Sequence, residues 1–147
     1  MKIIKNDIKA DVAFQRYAKD HYDAYQILKA NTKNFLYLMD IKYYLLCRSI
    51  ELSFKGLLLQ NGLCSVEDLK KEGKYGHDLI LLMNSIKNLP LVNINKDESN
   101  ILFVLDEYYK NKEFEYPKTG FKTFPALEDV EKFCERIYLA LALVKPR

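Results

Sequence analysis

Apolar positions recur every three or four residues along most of the chain, the spacing of one face of an α-helix. Over about residues 8–31 the stripe is Phe14, Tyr17, Ala18, His21, Ala24, Tyr25 and Leu28. Over about 36–61 the apolar residues, among them Leu38, Ile41, Leu45, Leu46, Ile50, Leu52, Leu57 and Leu58, fall on most sides. That pattern predicts a central helix covered by several neighbours. Asn61-Gly62 places a glycine where a helix can end in the left-handed region. Ser65-x-x-Asp68 predicts a short capped helix over 66–72. The next helix runs from about His77 to Lys87, with Leu79, Ile80, Leu82, Met83 and Ile86 inside and Pro90 blocking extension. Asn95-x-x-Glu98 forms a capping box for a helix over about 96–112, whose stripe is Ile101, Leu102, Leu105, Tyr108 and Tyr109. Pro125 suits a first helical position, and Val130, Phe133, Cys134, Ile137, Tyr138, Leu141 and Val144 keep the helical period after it. Period-two alternation bounded by turn residues is missing, so no sheet is expected. The reading is an all-α fold: a single domain over 1–147, built as an up-and-down bundle of about five helices.

Composition adds limits to that picture. A chain of 147 residues, 49% hydrophobic and 29% charged, can bury one sizeable core and is not disordered. The net charge is only +3, with 13 basic and 9 acidic residues in 1–74, so any basic surface must be local. Cys47, Cys64 and Cys134 are an odd, scattered set without a CxxC pair, which argues for a reducing cytoplasm over a disulfide framework. The first residues contain no apolar leader, and the longest apolar run, Ile137–Val144, is far short of the roughly 20 residues a membrane span needs. The chain is therefore expected to be cytoplasmic and without a membrane partner. With two histidines and no GxxxxGK[ST], GxGxxG, HExxH or GxSxG string, neither a metal nor a cofactor is expected and no catalytic set is assigned.

Three places carry candidate chemistry. Arg48, Glu51 and Lys55 stand at i, i+3 and i+7, on one narrow face of the otherwise apolar central helix. They read as an internal ion-pair ladder, a contact to phosphate or RNA, or a polar dimer seam. In Lys74-Tyr75-Gly76-His77-Asp78-Leu79, Gly76 permits a tight turn and Asp78 suits the first turn of the following helix. His77 then sits near the cap, where a neutral imidazole can accept a backbone N–H. The segment Lys112–Phe124 is too long for a mere connector and mixes Phe114, Tyr116, Phe121 and Phe124 with Lys112, Lys118 and Lys122, the combination that stacks bases and holds phosphates. Glu113 and Glu115 offset part of that charge. The binding candidates are thus Arg48, Glu51, Lys55, His77, Asp78, Tyr116, Lys118 and Lys122. Arg16 and His21 also form an Arg-x4-His string, but five residues of helix turn them about 140° apart, onto different faces.

These residues carry a resemblance. Cys47-Arg48-Ser49-Ile50-Glu51-Leu52-Ser53-Phe54-Lys55-Gly56-Leu57-Leu58-Leu59 is similar to the central-helix signature of HEPN (higher eukaryotes and prokaryotes nucleotide-binding) domains. Gly76-His77-Asp78-Leu79 with Leu82 resembles the family's HDL..L start of the next helix. Leu105-x-x-Tyr108 followed by Tyr116-Pro117 resembles its later L..Y…RYP segment, with Glu115 where arginine is usual. The likeness spans about residues 20–140. It implies a bundle of four or five helices that commonly dimerises, in a family of RNA-cutting toxins and RNA- or nucleotide-binding modules often found beside a small nucleotidyltransferase. The cutting members carry a late Arg-x4-6-His motif, whereas no histidine follows His77 here. The resemblance therefore implies a member without the nuclease motif: a homodimeric module binding RNA, a nucleotide or a nucleotidyltransferase-like partner protein, with Glu51, Lys55, His77 and Asp78 at family-like positions. The alternative is a metal-independent ribonuclease in which Arg48 and Lys55 stabilise the reacting phosphate and His77 is the general base. A third reading docks loop 112–124 on another protein.

Overall fold

The computed structural model describes residues 9–34, 36–71, 74–116 and 119–143, and among them there are six helices and no strand. They are α1 (Ala10–Ala30), α2 (Met39–Gln60), α3 (Val66–Lys70), α4 (Leu79–Ile86), α5 (Lys96–Lys110) and α6 (Leu127–Leu143). The all-α architecture follows from the helical period. Its centre is α2, which packs against α1, α4, α5 and α6. Every residue from Ser49 to Leu58 is buried, a run long enough to cover every side of this helix. Burial of that kind removes apolar surface from water around the whole circumference, so α2 is stable only inside its neighbours.

Close approach needs small or satisfied residues on α2. Gly56 is one: a Cβ there would come within 2.9 Å of Leu141 Cδ1 on α6 and 3.2 Å of Phe14 Cβ on α1. Ser49 is another, its buried hydroxyl donating to the Ala18 carbonyl of α1 at 2.6 Å. Helices α1 and α6 are joined at their rim by the Tyr25 hydroxyl donating to Glu131 at 2.9 Å and by the Lys29–Glu131 ion pair.

The helix ends obey local chemistry. Gly62 has φ 67°, and the Gly62 and Leu63 amides donate to the Leu59 and Leu58 carbonyls, closing α2 in a Schellman motif. Ser65 and Asn95 each form a capping box, with Asp68 and Glu98. Several boundaries are displaced from the expectation: α2 starts at Met39 and not near 36, α3 ends at Lys70 and not at 72, and two further shifts have a visible cause. Helix α4 starts at Leu79, not His77, because Asp78 is itself the N-cap and accepts from the Leu81 amide at 2.8 Å. Helix α6 starts at Leu127, not Pro125, because the Pro125 carbonyl accepts the Tyr43 hydroxyl and holds that residue in the irregular segment before the helix.

Tyr43 belongs to an aromatic cluster that pins the long 112–124 segment. Phe114 is buried and lies parallel to Tyr43 at 5.9 Å, while Phe124 contacts Tyr43 at 4.8 Å and Tyr108 at 4.9 Å. Half the aromatics expected as a stacking face are thus part of the core.

Candidate functional site

One turn of α2 on either side of Glu51 brings Arg48 and Lys55 onto its face, and tertiary packing adds two more donors. Glu51 is fully buried. Its Oε1 accepts from Lys55 Nζ at 3.2 Å and from His77 Nδ1 at 2.6 Å. Its Oε2 accepts from Arg48 Nη1 and from the Tyr109 hydroxyl at 3.0 Å. An ionised carboxylate only accepts, so His77 carries a proton on Nδ1 and turns Nε2 away from Glu51. The His77 side chain is 45% exposed and meets Tyr109 edge-on at 5.9 Å.

Burial alone would push the Glu51 carboxyl up. The hydrogen bond from His77 and the charges of Lys55 and Arg48 outweigh it and bring the carboxyl down to about 2. Burial and the neighbouring Glu51 charge push the Tyr109 hydroxyl far up, so it stays protonated and donates. Two fixed cations therefore face one fixed anion, and the surplus is positive.

That surplus opens onto a groove of about 300 Å³ between α1, α2 and α3. Phe14 and Tyr17 of α1 form one wall, Arg48 and Lys55 of α2 the floor, Leu69 and Lys70 of α3 the other wall. No described acidic residue lines it. Tyr17 is 55% exposed, presenting an aromatic ring beside the cations. Larger depressions lack this character. One of about 480 Å³ near the start of α5 mixes Asp97, Glu98 and Asp129 with Lys132 and Arg136, and the Arg136 guanidinium is already engaged by Glu98 and the Val92 carbonyl. Another of about 540 Å³ between α4 and α5 is mainly acidic, with Asp78, Asp106 and Glu107 against Lys110.

Arg48, Glu51, Lys55 and His77 thus come together, and the others lie elsewhere. His77 faces a carboxylate where a backbone N–H was expected. Asp78 caps α4 and has no part in the cluster. Tyr116 is exposed on the 112–124 segment, Lys122 Nζ donates to the Glu113 carbonyl at 3.3 Å, and Lys118 lies outside the described residues. That segment joins α2 at Tyr43, eight residues before Glu51 and so about 12 Å along the axis. Tyr109, Tyr17, Phe14 and Lys70 were not singled out as site residues. The two tyrosines and Phe14 read as packing stripes; the placement of α3 beside α1 and α2 makes Phe14 and Tyr17 walls, and Tyr109 reaches Glu51 from α5. Among the described residues no three His, Cys, Asp or Glu side chains converge as a metal site would require. No described helix is long and apolar enough to cross a membrane.

No protein-family model matches the chain, and neither does any curated protein or solved structure.

Proposed function

We propose that this chain is a non-catalytic, HEPN-like helical module that binds a phosphate-bearing ligand, RNA or a nucleotide, in the α1–α2–α3 groove. The observation that carries the reading is the groove itself: Arg48, Lys55 and Lys70 line it without a described carboxylate, beside the exposed ring of Tyr17. Cations on the floor suit phosphate oxygens, and an adjacent aromatic face suits a base. The sequence likeness around Glu51, Lys55 and His77 points the same way. Fluorescence anisotropy with a labelled single-stranded RNA tests it. Affinity is expected to fall with salt, and Lys70→Glu, on an exposed residue that makes no contact with Glu51, is expected to weaken binding several-fold and flatten the salt slope by about one. Binding indifferent to Lys70→Glu contradicts the groove. The homodimer and the nucleotidyltransferase-like partner belong to the same proposal; sedimentation showing only monomer at high concentration removes the former.

One geometric feature favours the metal-independent ribonuclease reading. Glu51 orients His77 through Nδ1 and leaves Nε2 of a half-exposed ring free to take a proton. It ranks second because His77 does not line the groove that Arg48 and Lys55 line. Purified protein that cuts RNA, and loses cutting in His77→Ala, would reverse the order.

A further inference from the structure

Arg48 and Lys55 face two ways, toward Glu51 and into the groove, and His77 shares with Lys55 a single oxygen of Glu51. That sharing links ligand binding to a proton. Glu51 has no solvent exposure, so it cannot trade a lost cation for water. A phosphate seated on the groove floor draws Arg48 and Lys55 toward itself and adds its own negative field. Both changes leave Glu51 undercompensated, and both act on the ring in contact with its Oε1. The remaining contacts are the neutral Tyr109 hydroxyl, from α5, and the His77 imidazole. Only the imidazole can become cationic near neutral pH, and its half-exposed outer edge gives it access to a proton.

Resting on the groove reading, we infer that His77 is a positioning residue that takes up a proton when an anion binds, and by doing so replaces the charge that the ligand draws away from Glu51. The groups facing His77 carry both signs. From α2, Glu51 presents a negative charge to its Nδ1, Lys55 shares the same carboxylate oxygen, and Arg48 holds the other oxygen. From α5, Tyr109 contributes a neutral edge and a hydrogen bond to the same carboxylate. In its own segment Asp78 follows it and is held as the α4 cap. Binding and protonation are then mutually favourable, and the affinity rises as the pH falls toward the histidine range.

The probe is a 5′-hydroxyl oligouridylate, which carries no group that titrates near neutrality. Calorimetry in two buffers of different ionisation enthalpy is expected to show uptake approaching one proton per ligand, with affinity changing by up to about tenfold per pH unit above the histidine range. His77→Gln keeps a donor for Glu51 but cannot titrate; it is expected to bind with no uptake and a flat pH profile, while His21→Gln keeps both. Binding without proton uptake in the wild type overturns the inference and leaves the groove reading intact. Uptake that persists in His77→Gln, or vanishes in His21→Gln, also overturns it. Absence of binding in either buffer overturns the groove reading and this inference with it. Should His77→Gln fold poorly, the two-buffer comparison on the wild type still decides, with the imidazole signals of the only two histidines as a second readout.

Discussion

Helix α2 carries two clusters about 12 Å apart along its axis, one at Tyr43 and one at Glu51, and they use their side chains in opposite ways. At Tyr43 the aromatics of the 112–124 segment turn inward: Phe114 is buried, Phe124 touches Tyr43 and Tyr108, and the Tyr43 hydroxyl ties down Pro125. What remains outside is Tyr116 and Phe121. At Glu51 the polar groups turn toward each other, yet two of the cations keep a second face on a groove. An aromatic-rich loop is mostly consumed by packing, because each ring gains most by leaving water. A charge cluster on a buried helix is not fully consumed when its cations outnumber its carboxylate.

Breaking the two clusters should separate stability from binding. The largest effect is expected for Glu51→Ala, which leaves Arg48 and Lys55 without their anion and should cost about 3–5 kcal/mol of unfolding free energy, read by urea denaturation. A cost under about 1 kcal/mol would mean the cluster does not hold α2 to α4 and α5. The same carboxylate sets an acid limit. Its folded value of about 2 lies below the ordinary 4.5, so its contribution is complete above about pH 4.5 and is lost as the pH falls toward 2. The wild type is expected to lose about 3 kcal/mol through that window from this group alone, a loss that Glu51→Gln lacks.

Phe114→Ala comes next, at about 3 kcal/mol for the cavity it leaves, with RNA affinity unchanged. Weakened binding with little loss of stability would make the segment a site and not a clasp. Asp78→Ala should cost only about 1 kcal/mol, the worth of an N-cap, because Asp78 takes no part in the Glu51 cluster. Tyr116→Ala and Phe121→Ala, on exposed rings, are expected to shift stability by no more than about 0.5 kcal/mol. Thermal melts of the three variants read these smaller effects.

The difference between the clusters also marks what was legible in the sequence. Helices α1, α2, α5 and α6 follow from apolar period, and Ser65, Asn95 and Gly62 announce their turns because capping is local chemistry. The i, i+3, i+7 spacing of Arg48, Glu51 and Lys55 fixed their common face for the same reason. Contacts distant in sequence were not legible. That His77 reaches Glu51 across 26 residues, that Tyr109 joins it across 58, and that Lys70 closes a groove over Tyr17 depend on how helices cross. The displaced start of α6 has the same origin, since Pro125 is held by a tyrosine 82 residues earlier.

Mapping amide chemical shifts while titrating the 5′-hydroxyl oligouridylate tests most directly which end of α2 binds. Perturbations centred on residues 13–17, 48–55 and 66–70, the groove walls and floor, and extending to His77 through Glu51, are the predicted result. Perturbations centred on Tyr116, Phe121 and the rest of 112–124, with the groove silent, would contradict it.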